Sequence, residues 1–354
     1  VRAAVRAAMP AYHLQEMPNN ITFRTQLIGG VTEFCSECGL TLFGKALNLV
    51  DLIVTLARYK EEGVRLTPQV YVANDISALT AMLPDGERVR IGVTTSDAKG
   101  IKEALKKTAP LATEGWSIYL EDRIGLEYGV FRGSGNPLAV AMDEILLERI
   151  DPLTVVKVFC VAEECVEVRA SNGQFHHVFL DHRKEDAPPP LQYLDRLAMA
   201  IVAKCAPELQ EALASFLKKL LFTAMRESHG CLIAVTNMTR PPKFIGNDCV
   251  TLESPLDFGS LVSQLKKDEI DATLLTNKGS LLKGMLNSDG IILFDDRGRL
   301  LGYNCFVKVK HDEGVIGGAR RRAFAALGAK VGSGLSAAFM QSQDGWTEYK
   351  DTNS

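Results

Sequence analysis

Residues 288–328 constrain this chain more than any other stretch. Asp289-Gly290 leads into the apolar run Ile291-Ile292-Leu293-Phe294. A turn follows at Asp295-Asp296-Arg297-Gly298, then a second apolar run over residues 300–309. Two β-rich runs divided by a Gly-containing turn predict a hairpin. Next, Gly317-Gly318-Ala319-Arg320-Arg321-Arg322-Ala323-Phe324 sets glycines ahead of a helix with arginines in its first turn. Helix N-termini and glycine backbones present N–H groups to anions, and arginine forks match phosphate oxygens. Taken alone, the pattern also fits a basic, solvated helix start.

A length of 354 residues implies two domains. A net charge of −3 gives no bulk electrostatic reason for nucleic-acid binding, so no DNA partner is expected. No run approaches the ~20 apolar residues of a membrane span, so no membrane partner is expected either. Residues 1–8 are rich in Ala and Arg but lack the apolar core of a signal peptide. Cys35 and Cys38 are spaced CxxC, and Cys160 and Cys165 form a looser pair. A zinc site would need both pairs to meet in space. The irregular second spacing favours a reduced, cytoplasmic protein, with Cys231, Cys249 and Cys305 as small buried hydrophobes. His176, His177 and His182 are a weak metal set, because adjacent strand residues point to opposite faces.

In chain order, residues 1–20 read as a tail and 21–186 as a separate N-terminal α/β domain. Residues 187–205 read as a linker and connecting helix, and 206–354 as the second domain. Leu42, Ala46, Leu49, Ile53 and Leu56 fall on one face of a helix over 40–59. Strands are expected at 68–73, 89–95, 116–120 and 126–131. Ser96-Asp97 caps a helix over 98–107. Gly133-Ser134-Gly135 lacks the lysine of a phosphate loop and reads as a turn before a helix opened by Asn136-Pro137. Residues 154–170 and 176–180 predict an antiparallel meander. The charged, proline-rich run ending at Pro188-Pro189-Pro190 is the linker. Helices follow over 191–204 and 207–226, with Pro207 at a first helical position. Residues 231–236 predict a buried strand, and 336–340 the last core strand. The expected architecture is α/β, a mixed sheet with helices on both faces.

Several short motifs, in order, resemble those of the diadenylate cyclase (DAC) domain, the family that makes cyclic di-AMP from two ATP molecules. Its Asp-Gly-Ala, Gly-Thr-Arg-His-Arg and Ser-Glu-Glu signatures correspond to three segments here. They are Asp289-Gly290-Ile291, Gly318-Ala319-Arg320-Arg321-Arg322 and Ser342-Gln343-Asp344. His229-Gly230-Cys231-Leu232-Ile233 resembles the family's first strand, and Pro255-Leu256-Asp257 its characteristic loop. The resemblance covers residues 206–349, and the N-terminal segment is similar to the sensor domains attached to such domains. It implies Asp289, Gly290, Arg320 and Arg322 as catalytic residues. It also implies Leu256, Ile291, Phe306, Val307, Gly318, Ala319, Arg321 and Ser342 as nucleotide contacts. Asp289 and Asp344 would hold Mg²⁺ or Mn²⁺. Each domain carries half of a symmetric reaction, so a homodimer or higher assembly of facing domains is implied. The sequence departs from the family at Ile291, Ala319, Arg321 and Gln343-Asp344. An alternative is therefore a catalytically silent module that binds ATP or a cyclic dinucleotide as a sensor. A third reading is a synthase using another nucleotide.

Overall fold

The computed structural model describes residues 19–40, 45–61, 63–122, 124–148, 154–162, 164–180, 190–228, 230–245, 249–308, 318–342 and 347–352. The N-terminal half runs α1 (Asn19–Glu37), α2 (Lys45–Ala57), β1 (Lys60–Glu61), β2 (Val64–Arg65), β3 (Val70–Ala73), α3 (Ile76–Ala81), β4 (Glu87–Thr94) and α4 (Ala98–Thr108). It continues with β5 (Ser117–Asp122), β6 (Leu126–Arg132), α5 (Met142–Leu147), β7 (Val155–Ala162), β8 (Cys165–Ala170) and β9 (Phe175–Phe179). The C-terminal half runs α6 (Pro190–Val202), α7 (Pro207–Glu227), β10 (Cys231–Thr236), β11 (Val250–Asp257), α8 (Phe258–Lys266) and α9 (Ala272–Leu286). Then come β12 (Ile291–Asp295), β13 (Arg299–Cys305), α10 (Ala319–Gly328), β14 (Leu335–Gln341) and β15 (Thr347–Asp351).

Seven strands form one mixed sheet, in the order β4-β6-β5-β3-β7-β8-β9, and six form another, β11-β13-β12-β10-β14-β15. Each sheet has one parallel pair, β3 with β5 and β10 with β12, among antiparallel neighbours. Helices cover both faces of both sheets, an arrangement the sequence pattern predicts for the C-terminal one. In the C-terminal half, Cys231, Ile233 and Val235 pack with α6, α7, α8 and α9, while Leu232 and Ala234 pack on the opposite face with Phe324 and Leu327 of α10. A strand covered on both faces is apolar throughout, and β10 is buried at all six positions.

The α7 helix starts with Pro207 inside its first turn, where a missing N–H costs nothing. Leu213, Leu217, Leu221 and Ala224 lie on one stripe at helical spacing and join the C-terminal core. Lys219, Phe222 and Arg226 lie on the other stripe and reach the N-terminal half. Lys219 Nζ donates to Ala139 O at 2.5 Å, Arg226 Nε donates to Cys160 O at 3.0 Å, and Phe222 meets Phe159 edge-on at 5.6 Å.

Some elements differ from expectation. Helix α5 starts at Met142 rather than Pro137, because the Asn136 side chain accepts from Leu138 N at 2.9 Å and holds a turn there. Strand β11 runs through Pro255, a residue that hides strand character from the sequence yet is tolerated at a sheet edge. Helix α1 lies partly in the expected tail. Among the described residues no helix is long and apolar enough to cross a membrane.

Candidate functional site

Strand register decides which of the motif residues meet. Ile291 opens β12 and lies opposite Leu232 of β10 and Cys305 of β13. Cys231 lies opposite Gln341, the last residue of β14. Four chain segments therefore converge at one end of the six-stranded sheet: the start of β10, the start of β12, the end of β13 and the end of β14. This brings Asp289-Gly290, Phe306-Val307 and Ser342 to the same sheet end.

Gly290 has φ +97°, and a Cβ there would lie 2.9 Å from Cys305 O. A side chain is thus excluded both by conformation and by space. Asp289 beside it is exposed. Phe306 is 47% exposed, a flat apolar surface left uncovered just past β13, whereas Val307 packs against the α10 side of the core. Ile291 is 1% exposed and belongs to that core, so its extra bulk relative to alanine is absorbed inside the sheet.

Helix α10 begins at Gly318, whose extended backbone caps the helix without a side-chain hydrogen bond. Its first turn holds Arg320, Arg321 and Arg322 and no acidic residue. Cations there oppose the helix dipole, so the arrangement favours an added anion. Arg320 is half-buried and reaches the sheet end: a Cβ on Gly230 would lie 2.6 Å from Arg320 Nη1 and 2.6 Å from Gln341 O. Burial raises the neighbouring Cys231 thiol to about 12 despite the Arg320 charge beside it. Arg321 lies 3.9 Å from Glu348 on β15, which pairs with Met340 beside the same sheet end, and Arg322 is exposed.

Leu256 does not join the group. It lies opposite Leu300, and Phe258 N donates to Gly298 O at 3.2 Å, which puts it at the Asp295–Gly298 turn. That turn is the other end of the sheet. There Asp295 is buried and accepts from Arg297 N, Arg299 N and Arg299 Nε at 3.0, 3.0 and 2.7 Å. Gln343 and Asp344 lie outside the described residues, as do Gly317 and His182.

The cysteines depart from the reduced picture. Cys249 and Cys305 are joined by a disulfide, and Gly302 makes room for it, since a Cβ there would lie 3.0 and 3.5 Å from the two sulfurs. Only Cys231 of that trio is a buried free thiol. Cys160 and Cys165 pack in different clusters, and Cys160 donates to Leu56 O. His176 meets the Phe34 ring, while His177 lies 3.0 Å from Glu167.

Among the described residues no three His, Cys, Asp or Glu side chains cluster as a metal site. Magnesium is commonly held by one or two carboxylates together with substrate phosphates. Exposed Asp289 suits that mode. Sequence reasoning gave Gly230 no role at the site. Its φ of +97° and its contact with Arg320 make it part of the sheet end, and a glycine directly before a buried strand was the available signal. In comparisons with known proteins, no protein-family model and no curated protein matches this chain.

Proposed function

We propose that the chain is a nucleotidyltransferase of the diadenylate cyclase kind, joining two ATP molecules into cyclic di-AMP with release of two pyrophosphates. The observation that supports it is the meeting of Asp289-Gly290, Arg320 and Ser342 at one sheet end, next to a helix start that has no side-chain cap. Each half-reaction forms a bond from a ribose 3′-oxygen to an α-phosphorus and breaks the bond to pyrophosphate. Asp289 accepts the hydrogen bond of the attacking hydroxyl and favours its loss of a proton. Arg320 and Arg322 neutralise the phosphate oxygens, and the N–H groups of the first turn of α10 face the same anion. Phe306 offers a face on which adenine stacks. Mg²⁺ or Mn²⁺, held by Asp289 and by Asp344, would supply further positive charge against the triphosphate. Two such sites must face each other, so the working unit is a homodimer or a larger assembly of pairs.

A second reading is a silent module that binds ATP or a cyclic dinucleotide. The presence of Arg321 where the resemblance expects histidine favours it, because a guanidinium is no base near neutral pH. Incubating the full chain with ATP and Mg²⁺ or Mn²⁺, with mass-spectrometric detection, separates the readings. Cyclic di-AMP is expected. Saturable ATP binding with no product selects the second reading, and absence of binding ends both.

A further inference from the structure

The two large sheets have the same strand order. Numbered from the first strand of each, the seven-stranded sheet reads 2-4-3-1-5-6-7 and the six-stranded sheet reads 2-4-3-1-5-6. In both, the first strand is parallel to the third and antiparallel to the fifth. Register aligns them residue by residue. Val70 lies opposite Ile118 and Val158, and Ile233 lies opposite Ile292 and Phe339. Each trio packs within a single core cluster. The alignment places Glu121-Asp122 on Asp295-Asp296, and Glu121 and Asp295 are both buried carboxylates at the end of the third strand. It also places Thr67 on Gly230 and Cys160 on Gln341.

The last correspondence bears on function. In the C-terminal sheet, the Gly230–Gln341 position is where the Arg320 guanidinium sits. In the N-terminal sheet, the Thr67–Cys160 position also receives a guanidinium, that of Arg226, which donates to Thr67 O and Cys160 O. Arg226 comes from α7, the helix shared by both halves. Four residues later the same chain passes Gly230, packed against Arg320. The helix turn that α10 supplies in the C-terminal sheet is supplied by α5 in the N-terminal one. Its first turn carries Asp143 and Glu144 instead of arginines, which repel a phosphate.

We infer that the N-terminal half is a second copy of the same fold whose ligand end is occupied by Arg226, and that this contact positions Gly230 beside Arg320. The copy thus serves as an internal docking module, not as a second nucleotide site. The positioning role of Arg226 rests on the nucleotide reading above, whereas the occupancy of the N-terminal sheet end does not.

Hydrogen exchange and ATP calorimetry on the full chain test both parts, using Arg226→Met, Arg226→Lys and the exposed α7 control Glu211→Ala. In Arg226→Met, exchange should rise about threefold or more at residues 67–73, 155–161 and 230–236, with an intermediate effect in Arg226→Lys and none in the control. ATP should bind at one site per chain, bind about ten- to a hundredfold more weakly in Arg320→Ala, and bind about three- to tenfold more weakly in Arg226→Met. Unchanged exchange at 67–73 and 155–161 overturns the docking claim. A rise confined to those residues, with 230–236 unchanged, overturns the positioning claim. Two ATP sites per chain, or an ATP affinity unchanged in Arg320→Ala, overturns the occupancy claim. If Arg226→Met fails to fold, the lysine variant carries the same comparisons. If the wild type binds no ATP, the nucleotide reading falls, and exchange still decides the docking and its reach to Gly230.

Discussion

The two sheets share a strand order and differ in where they keep charge. The N-terminal sheet buries it among its strands: Lys157 is 1% exposed and Glu167 is 0% exposed. Lys157 Nζ pairs with Asp143 at 2.5 Å and lies 4.6 Å from the centre of the Phe159 ring, while Glu167 takes Arg169 and His177. Tyr71 adds a hydrogen bond to Asp143. The positions of the C-terminal sheet that match Tyr71 and Lys157 are Ala234 and Ala338, both fully buried and apolar. Its charges stand at strand ends, where Asp289 is exposed and Arg320 half-buried. Interior charges must bring their own counter-ions because burial denies them water. Asp289, exposed at its strand end, remains within reach of a ligand, unlike Asp295 and Asp296, which are buried against Arg299 and Lys204. One sheet therefore uses charge to hold structure among its strands, whereas the other does so only at the Asp295–Asp296 turn and leaves Asp289 exposed at the opposite end.

That contrast makes sharp expectations. Asp289→Asn should lower turnover about a hundredfold or more, since proton handling by a positioned group contributes about 10²–10⁴. Its stability should stay within about 0.5 kcal/mol of wild type, as for other exposed surface changes. Steady-state product formation and urea unfolding read the two effects. A variant with wild-type turnover would take Asp289 out of the mechanism, and an unstable one would erase the contrast with the interior charges.

The interior pair should do the reverse, and unequally. Burial pushes the Lys157 ammonium pKa down, with Asp143 opposing. Burial also pushes the Asp143 carboxyl up, but the charge and hydrogen bond of Lys157 outweigh this and hold it below its ordinary value. The Asp143 side chain is 40% exposed, whereas that of Lys157 is 1% exposed. Asp143→Ala therefore leaves a cation with no route to water and should cost about 3 kcal/mol. Lys157→Met leaves a carboxylate that water can reach, with an apolar stem still packed on Phe159, and should cost about 1 kcal/mol. Urea midpoints in the opposite order would show that Asp143, not Lys157, is the buried member. Asp143 also gives a pH signature. Its lowered folded value contributes stability above its unfolded pKa, and that part is lost as pH falls through the folded value.

Arg320→Ala should weaken ATP binding by about 1.5–3 kcal/mol through loss of a charge-assisted phosphate contact. Calorimetry on Arg321→Ala gives the internal comparison. Arg321 already engages Glu348, so its removal should weaken binding less. Equal losses would place both guanidiniums on the phosphates.

Much of the C-terminal half was legible because its signals are local. The hairpin is written in the apolar runs on either side of Asp295–Gly298, and α10 in the glycine before three arginines. Ladder pairing then carries Asp289 to Ser342 without further information. What stayed hidden depends on long-range contacts. Lys157 and Asp143 are ordinary surface residue types until β7 and α5 are packed together. Cys249 and Cys305 read as separate small hydrophobes until β11 and β13 align. The repeated topology left almost no trace, since a Tyr71–Lys157 pair in one copy faces an Ala234–Ala338 pair in the other.

The smallest expected effect concerns a residue with no charge at all. Gly230→Ala asks whether the C-terminal strand end is shaped as closely as the N-terminal interior. Gly230 adopts φ +97°, a conformation that costs an L-residue roughly 1–2 kcal/mol. The added methyl would also meet Arg320 Nη1 and Gln341 O at 2.6 Å. Gln341 O is ladder backbone and cannot retreat, so Gly230 must move or its backbone must turn. The guanidinium is the softer neighbour and should yield by leaving the sheet end. Two linked outcomes follow: a stability loss of about 1–2 kcal/mol in urea, and ATP binding weakened partway toward that of Arg320→Ala. In the double variant Gly230→Ala/Arg320→Ala, the binding losses should not add, because both act through one guanidinium. Additive losses would mean that Gly230 shapes the site by itself, and that Arg320 is held at the sheet end by some other contact.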